Sequence, residues 1–358
     1  MKLLFVARRF PPDVVSGTET VFARLREEAR AAGHDVHLVA GFRRERAYLP
    51  ADATAVDLRG KGASAWAAMA FAAAKAARRF RPDVVLSNSI EVRVPGVPTV
   101  TIVHDLNFGG AGAGLGAFAK RQFYLLQGRG LARIVAVSEV TRQALLGAGV
   151  PAGKVVAIPN GVDLARFVPA PRPADGKVRL VQVSRILPGK GQHCALDALG
   201  RMRPDQRRNV RLAIVGTVAD AVYAEQLRVQ AWNLPVDLHF DVPDVVPHYQ
   251  SADIALFPTR MPEGFGYAAV EAMACGLPVV GFADPAVAEA TGGLAELVPR
   301  DDVPALRDAL LRLIADPAER ARRGAAGRAF VERYRWAETW RRYEDCLRSS
   351  KDEARFSS

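Results

Sequence analysis

A chain of 358 residues, 49% hydrophobic and 24% charged, is long enough for two domains and apolar enough to build a sizeable core in each. Its formal charge of +11 is uneven, with +10 in residues 1–168 and +1 in residues 169–358. The first half therefore offers a surface for phosphates on nucleic acid, lipid head groups or an anionic substrate, unless it is simply a solvated basic face.

The first apolar run, Lys2–Ala7, stops at Arg8 and Arg9, too short for a secretory leader. A turn follows through Ser16, and Gly17 opens a helix whose amides suit a diphosphate. Further runs at Asp35–Ala40, Asp83–Asn88, Thr99–Asp105, Arg133–Ser138 and Val155–Asn160 complete the first half. Between them the alanine-rich Ala63–Ala74 falls short of the ~20 apolar residues that cross a bilayer. His104 ends one run on the side where open parallel sheets bind ligands, although such a histidine serves structure more often than catalysis. A glycine-rich loop and a basic helix with Lys120, Arg121 and Arg129 come next. Pro169, Pro171 and Pro173 mark a linker. The second half repeats the alternation with runs at Val178–Ser184, Val210–Gly216, Val236–Asp241, Ala252–Pro258, Pro278–Phe282 and Ala295–Pro299. Helices over Glu319–Tyr334 and Trp336–Leu347 close the chain, and the tail from Ser349 is expected to fray. Runs that are apolar without strict alternation read as strands buried on both faces, hence parallel sheets in an α/β protein of two doubly wound domains. Cys194, Cys275 and Cys346 lie far apart without Cys-x-x-Cys and read as reduced thiols of a cytoplasmic protein.

Several motifs are absent. No glycines fit G-x-G-x-x-G, no Gly-Lys pair precedes Ser or Thr, and neither Asp-x-Asp nor clustered histidines suggest a metal site. The densest signal is Glu263-Gly-Phe-Gly-Tyr-Ala-Ala-Val-Glu271, followed by Gly276 and Pro278. Gly264 and Gly266 allow a tight turn, and residues from Tyr267 favour helix until Gly276 stops it. The amides of Phe265, Gly266 and Tyr267 then lie at a helix start, ready for a diphosphate or a sugar hydroxyl. Glu271, a turn further on, suits a ribose diol, and Glu263 suits the sugar beyond it. Two glutamates eight apart also occur on solvated helix faces, but here glycines and a helix stop surround them. Arg185 and Lys190 follow another run within Ser184–Gly191 and suit a diphosphate leaving group, where ordinary surface charge is the bland alternative.

Together these residues resemble the retaining GT-B glycosyltransferases of family four over nearly the whole chain. The matching stretches are Phe10–Glu19, His104-Asp105, Ile158–Asp163, the Arg185/Lys190 pair and the E-x7-E motif at Glu263 and Glu271. The resemblance implies a GT-B fold, with two Rossmann-like doubly wound domains facing a central cleft. Residues 1–168 would form the acceptor domain and 169–335 the donor domain, and a helix at about 336–358 would cross back onto the first. Arg185 and Lys190 would bind the donor diphosphate, Glu271 the ribose, and Glu263 with the Phe265 and Gly266 amides the sugar. Val242 would line the base pocket, Gly216 would adjoin the donor, and His104 would stand near the transferring carbon. Serine occupies positions 16 and 184 where glycine is common, so only Gly17 is carried over from the first turn.

The implied reaction moves a sugar from a nucleoside-diphosphate sugar to a hydroxyl of a glycan, lipid-linked or small-molecule acceptor. It retains configuration and uses no metal and no cofactor. Arg78, Arg79, Arg81, Lys120, Arg121 and Arg129 would dock an anionic acceptor or the inner face of the membrane. A sugar-nucleotide epimerase is the alternative enzyme. A nucleic-acid-binding module lacks the aromatic-interleaved basic patches it would need, so no nucleic-acid partner is expected.

Overall fold

The computed structural model describes the chain apart from residues 12–16, 47–48, 62–63, 89–91, 105–124, 174 and 357–358. It divides into two compact units, Met1–Gly161 with Trp336–Ser358, and Val162–Arg335. The first boundary precedes the proline-rich stretch. The Val162 amide bonds the Tyr334 carbonyl at 2.7 Å, and Phe167 packs edge-on against Tyr249, so residues 162–168 belong to the second unit.

In the first unit β1 (Lys2–Ala7), β2 (Asp35–Phe42), β3 (Thr54–Asp57), β4 (Val84–Ser87), β5 (Thr99–Val103), β6 (Arg133–Ala136) and β7 (Val155–Ala157) form one sheet. Its order is β3-β2-β1-β4-β5-β6-β7, and every pairing is parallel. In the second, β8 (Val178–Val183), β9 (Val210–Gly216), β10 (Val236–Phe240), β11 (Ile254–Phe257), β12 (Val279–Phe282) and β13 (Glu296–Val298) run β10-β9-β8-β11-β12-β13, again all parallel. Both are doubly wound, with the strand order reversing between β1 and β4 and between β8 and β11. Ligands in such sheets sit beyond the carboxyl ends of the strands at these reversals.

Helices cover both faces, which is why the strands read as apolar runs. Met69 and Ala73 of the helix Ser64–Phe80 pack on Leu4, Val39 and Val85, while Phe22 of the helix Gly17–Ala31 meets Phe5 from the other side at 5.2 Å between ring centroids. In the second unit Leu196, Leu227 and Leu310 pack against Leu180, Ile214 and Leu256. The strand β3 was not expected. It is a four-residue edge strand with only Val56 buried, so it carries no apolar run.

The C-terminal helix Trp336–Phe356 belongs to the first unit. Trp336 lies so close to Gly161 that a Cβ there would sit 2.4 Å from the indole. Trp340, Tyr343, Leu347 and Ser350 recur at helical spacing on its buried face, Lys351 pairs with Asp83 at 2.9 Å, and Glu353 pairs with Arg133. These contacts hold the tail from Ser349 in helix, where fraying was expected. All three cysteines are free, and burial pushes the thiols of Cys194 and Cys346 up to about 11 and that of Cys275 up to about 12.

Candidate functional site

At the β8/β11 reversal two loops are locked together. The loop after β8 ends in a turn, Pro188–Lys190, and then in Gly191, whose φ of +70° is left-handed. A Cβ at Gly191 would lie 1.9 Å from the Pro258 carbonyl oxygen, so the two backbones touch. The amides of Arg260 and Met261 also donate to the Gly189 carbonyl, at 2.8 and 3.2 Å. This seam brings Lys190 Nζ within 2.5 Å of Glu263 Oε1, and Thr259 Oγ1 donates to the same oxygen at 3.0 Å. Both charged side chains are largely buried, with 14% of each exposed. Gly191→Ala is therefore expected to destabilise the protein by at least about 1 kcal/mol from backbone strain alone. Urea denaturation measures this, and unchanged stability would mean the seam is loose.

The loop that carries Lys190 is held from beneath by side chains that sequence reasoning missed. Buried Gln182 donates to the Lys190 carbonyl at 2.8 Å. Buried Gln192 donates to the Arg185 carbonyl and to Ser184 Oγ, both at 2.9 Å, so the serine that replaces a glycine here has a partner. Asp284 was missed as well. Its carboxylate caps the helix Pro285–Ala290 through the Ala286 and Val287 amides and accepts from the Glu263 amide at 3.3 Å. Asp before Pro285 is a helix-start signal, and a glutamine inside the apolar run of β8 is a buried polar group that needs partners, so both were readable. Arg185 is exposed and has no ion-pair partner among the described residues.

Beyond Glu263 the chain turns through Gly264 and Phe265 to Gly266, whose φ of +85° starts the helix Tyr267–Ala274. Among the described residues the amides of Gly264, Phe265 and Gly266 have no protein acceptor, which leaves three donors at a helix start. The Phe265 ring is buried edge-on against Tyr267 and Tyr334, so this residue offers its backbone rather than its side chain. Glu271 lies one turn in, half-buried, with the buried Tyr249 hydroxyl 3.4 Å from its Oε2. Desolvation pushes its carboxyl up to about 7, against a smaller opposing effect of the Tyr249 hydrogen bond. Gly216 ends β9, where a Cβ would meet the Ser184 carbonyl at 1.8 Å, so its glycine lets two strand ends close up. Half-buried Val242 follows β10 on the same sheet edge, where the Asp241 amide donates to the Gly216 carbonyl at 2.9 Å. The second unit thus gathers Lys190, Glu263, Glu271, Gly216 and Val242 along one edge.

In the first unit Gly17 begins its helix as expected, whereas most of the preceding turn, like Lys120 and Arg121, lies outside the described residues. His104 follows β5 at the carboxyl edge, with Nε2 2.8 Å from Asn88 Oδ1. An amide oxygen only accepts, so Nε2 carries the hydrogen. Burial pushes the imidazole down to about 4, which keeps it neutral at physiological pH. Arg78, Arg79, Arg81 and Arg129 are exposed but stand at the opposite edge. The first three end the helix that leads into the start of β4, and the Arg129 carbonyl accepts from Lys154 near the starts of β6 and β7. They lie away from His104 within this unit, at the amino edge of its sheet. No group of three or more His, Cys, Asp or Glu that could hold a metal occurs among the described residues.

Over 98% of its length the chain superposes on all of a solved Anabaena protein, HepE in complex with UDP and glucose, with a TM-score of 0.79 and 19% identity. The fold is that of the GT-B glycosyltransferases. Residues 15–166 match the family model described as Glycosyltransferase Family 4, and residues 166–330 match Glycosyl transferases group 1. The seam, Glu263 and Glu271 therefore lie in the group 1 half of this GT-B chain, and His104 in the family 4 half. A GDP-mannose-dependent alpha-(1-6)-phosphatidylinositol monomannoside mannosyltransferase from Mycolicibacterium smegmatis is 32% identical over 246 residues, covering 61% of this chain and 62% of that protein. A D-inositol 3-phosphate glycosyltransferase from Kineococcus radiotolerans is 32% identical over 242 residues, covering 58% and 54%. The chain thus spans less than two thirds of the length of these curated relatives. No helix among the described residues is long and apolar enough to cross a membrane.

Proposed function

We propose that the protein is a glycosyltransferase that moves a hexose from a nucleoside-diphosphate sugar to a hydroxyl with retention of configuration. The observation that carries this reading is the Lys190–Glu263 contact at the β8/β11 reversal, beside three amides that have no protein acceptor among the described residues. A cation and helix-start donors suit a leaving diphosphate, and a carboxylate beside them suits the hydroxyls of the departing sugar. The sugar carbon's bond to phosphate breaks while its bond to the acceptor oxygen forms on the same face. The acceptor's proton passes to the released phosphate oxygen. Arg185 and Lys190 stabilise the charge that develops there, so the residues themselves supply what a metal would otherwise provide. Neutral His104 is assigned hydrogen bonding to the sugar rather than proton abstraction. Glu271 is assigned the ribose, and the Val242 segment the base.

The curated relatives are named for GDP-mannose and for inositol-containing acceptors, and the solved neighbour holds UDP and glucose. A phosphorylated or lipid-linked acceptor fits the positive first half, and peripheral attachment to an anionic membrane is compatible with the exposed basic end of the helix Ser64–Phe80. Cosedimentation with anionic vesicles, lost in high salt, checks that attachment. The reaction is tested by presenting UDP-, GDP-, ADP- and TDP-sugars. At least one should raise the melting temperature and be consumed slowly without acceptor. No response to any of the four removes the transferase reading, and an isomerised donor in place of a glycoside favours an epimerase.

A further inference from the structure

The turn at residues 263–266 presents its amides unequally. Those of Gly264, Phe265 and Gly266 have no protein acceptor among the described residues, whereas that of Glu263 donates to Asp284 Oδ2 at 3.3 Å. Peptide planes are rigid, so an anchored first amide fixes where the next plane starts. Asp284 is itself held. It follows β12, where the Ala283 amide donates to the Val298 carbonyl of β13 at 2.8 Å, and its Oδ1 accepts from the Ala286 and Val287 amides at 3.0 and 3.2 Å. Arg300 Nη2 stands 3.7 Å from Oδ2, a cation beside the oxygen that holds Glu263. The far end of the turn meets the same helix, because a Cβ at Gly266 would lie 3.0 Å from Val287 Cγ2. The helix Pro285–Ala290 therefore grips the turn at Glu263 through Asp284 and at Gly266 through Val287. Here Oδ1 alone makes the helix cap, which leaves the second oxygen for the turn. With 3% of its side chain exposed, Asp284 is too deep to touch a donor itself.

We propose that Asp284 is a positioning residue for sugar transfer: its carboxylate aims the Glu263 side chain and the amides of Gly264, Phe265 and Gly266 at the departing sugar and diphosphate. The inference rests on the transferase reading and adds a residue to it. Donors that stabilise a developing charge act by being held in place beforehand, and a misplacement of about 1 Å costs about 10²-fold in rate. Glu271 and Val242, assigned to the ribose and the base, have supports of their own. Glu271 sits in a helix anchored by buried Ala269, Ala272 and Met273, and Val242 follows β10. Asp284 therefore governs turnover more than nucleotide affinity.

Asparagine at this position keeps the cap but puts an amino group in place of Oδ2, facing two donors, the Glu263 N–H and Arg300, and so releases the turn. Consumption of UDP-, GDP-, ADP- and TDP-sugars is followed in wild type and Asp284→Asn. The matching nucleoside monophosphates probe affinity, urea denaturation probes stability, and backbone amide relaxation probes the turn. For the donor that wild type consumes, kcat should fall about 10- to 100-fold, with monophosphate affinity within about twofold and the urea midpoint unchanged. Order parameters of the Gly264, Phe265 and Gly266 amides should drop from about 0.85 to below about 0.6. A wild-type kcat would overturn the proposal by leaving Asp284 a helix cap. A kcat loss matched by an equal loss of monophosphate affinity would also overturn it, by making Asp284 a general support. If the wild type consumes no donor, the transferase reading fails. The order parameters still decide whether Asp284 holds the turn, and unaltered values would sink that claim. Should Asp284→Asn not fold, Val287→Ala loosens the other end. Its kcat should fall about three- to tenfold at unchanged monophosphate affinity, and an unchanged kcat would reject the proposal.

Discussion

Lys190→Ala is expected to lower sugar transfer about 10²- to 10³-fold, the loss typical of removing one preorganised donor from a developing oxyanion. Without ligand, Lys190 is neutralised by Glu263 at 2.5 Å, in a loop fastened through Gly189 and Gly191 to the chain after β11. A leaving diphosphate carries more negative charge than one carboxylate, so the ammonium gains more from the transition state than from Glu263. That difference is what accelerates a reaction. A purely structural ion pair makes a different prediction. Removing one partner of a fully buried pair costs about 3–5 kcal/mol, and this pair, 14% exposed on each side, should cost less. Steady-state transfer and urea denaturation, measured together, separate the two roles. A large rate loss with a small stability loss places Lys190 on the diphosphate. Glu263→Ala should also lose most transfer, since it frees Lys190 but removes the carboxylate assigned to the sugar. Full activity in both variants would defeat the assignments, and a stability loss without a rate loss would make the pair structural.

Local punctuation made the E-x7-E segment readable. Gly264 and Gly266 before a helix-forming run, then Gly276 and Pro278 after it, are short-range signals, and the helix Tyr267–Ala274 starts and stops where they direct. The partnership between Lys190 and Glu263, 73 residues apart, was not legible in the same way. It exists because a crossover makes β8 and β11 neighbours, and pattern alone does not fix strand order. The family resemblance supplied what spacing lacked. Arg78, Arg79 and Arg81 teach the opposite lesson. Their charge was plain, yet a helix that leads into a buried strand ends at the amino edge of a parallel sheet, so their distance from His104 was available from element order. The short edge strand β3 was missed for want of buried residues, and the extent of the last helix became readable only once its buried face had the first sheet to pack on.

Glu271 should make donor binding strongly pH-dependent. Desolvation raises its carboxyl from 4.5 to about 7 in the ligand-free fold, whereas in the unfolded chain it ionises near its ordinary value. Between about pH 4.5 and 7 the unfolded state therefore holds fewer protons than the folded one. Stability from this residue falls as pH rises through that window, by at most about 3 kcal/mol. Glu271→Gln should match wild type near pH 4.5 and exceed it in stability near pH 8. Binding has the opposite slope. A ribose diol donates hydrogen bonds and so favours the carboxylate, and a ligand that selects the ionised form must release a proton when it binds below pH 7. Affinity for a nucleoside-diphosphate sugar, whose diphosphate diester does not titrate here, should rise about tenfold per pH unit up to 7 and then level off. Calorimetry in buffers of different ionisation enthalpy counts the released proton, and Glu271→Gln should flatten the profile while weakening binding at pH 8. A wild-type affinity independent of pH would take Glu271 off the ribose. A stability gain in the variant without any change in its binding would leave this glutamate as a buried cost that the fold carries for some other ligand.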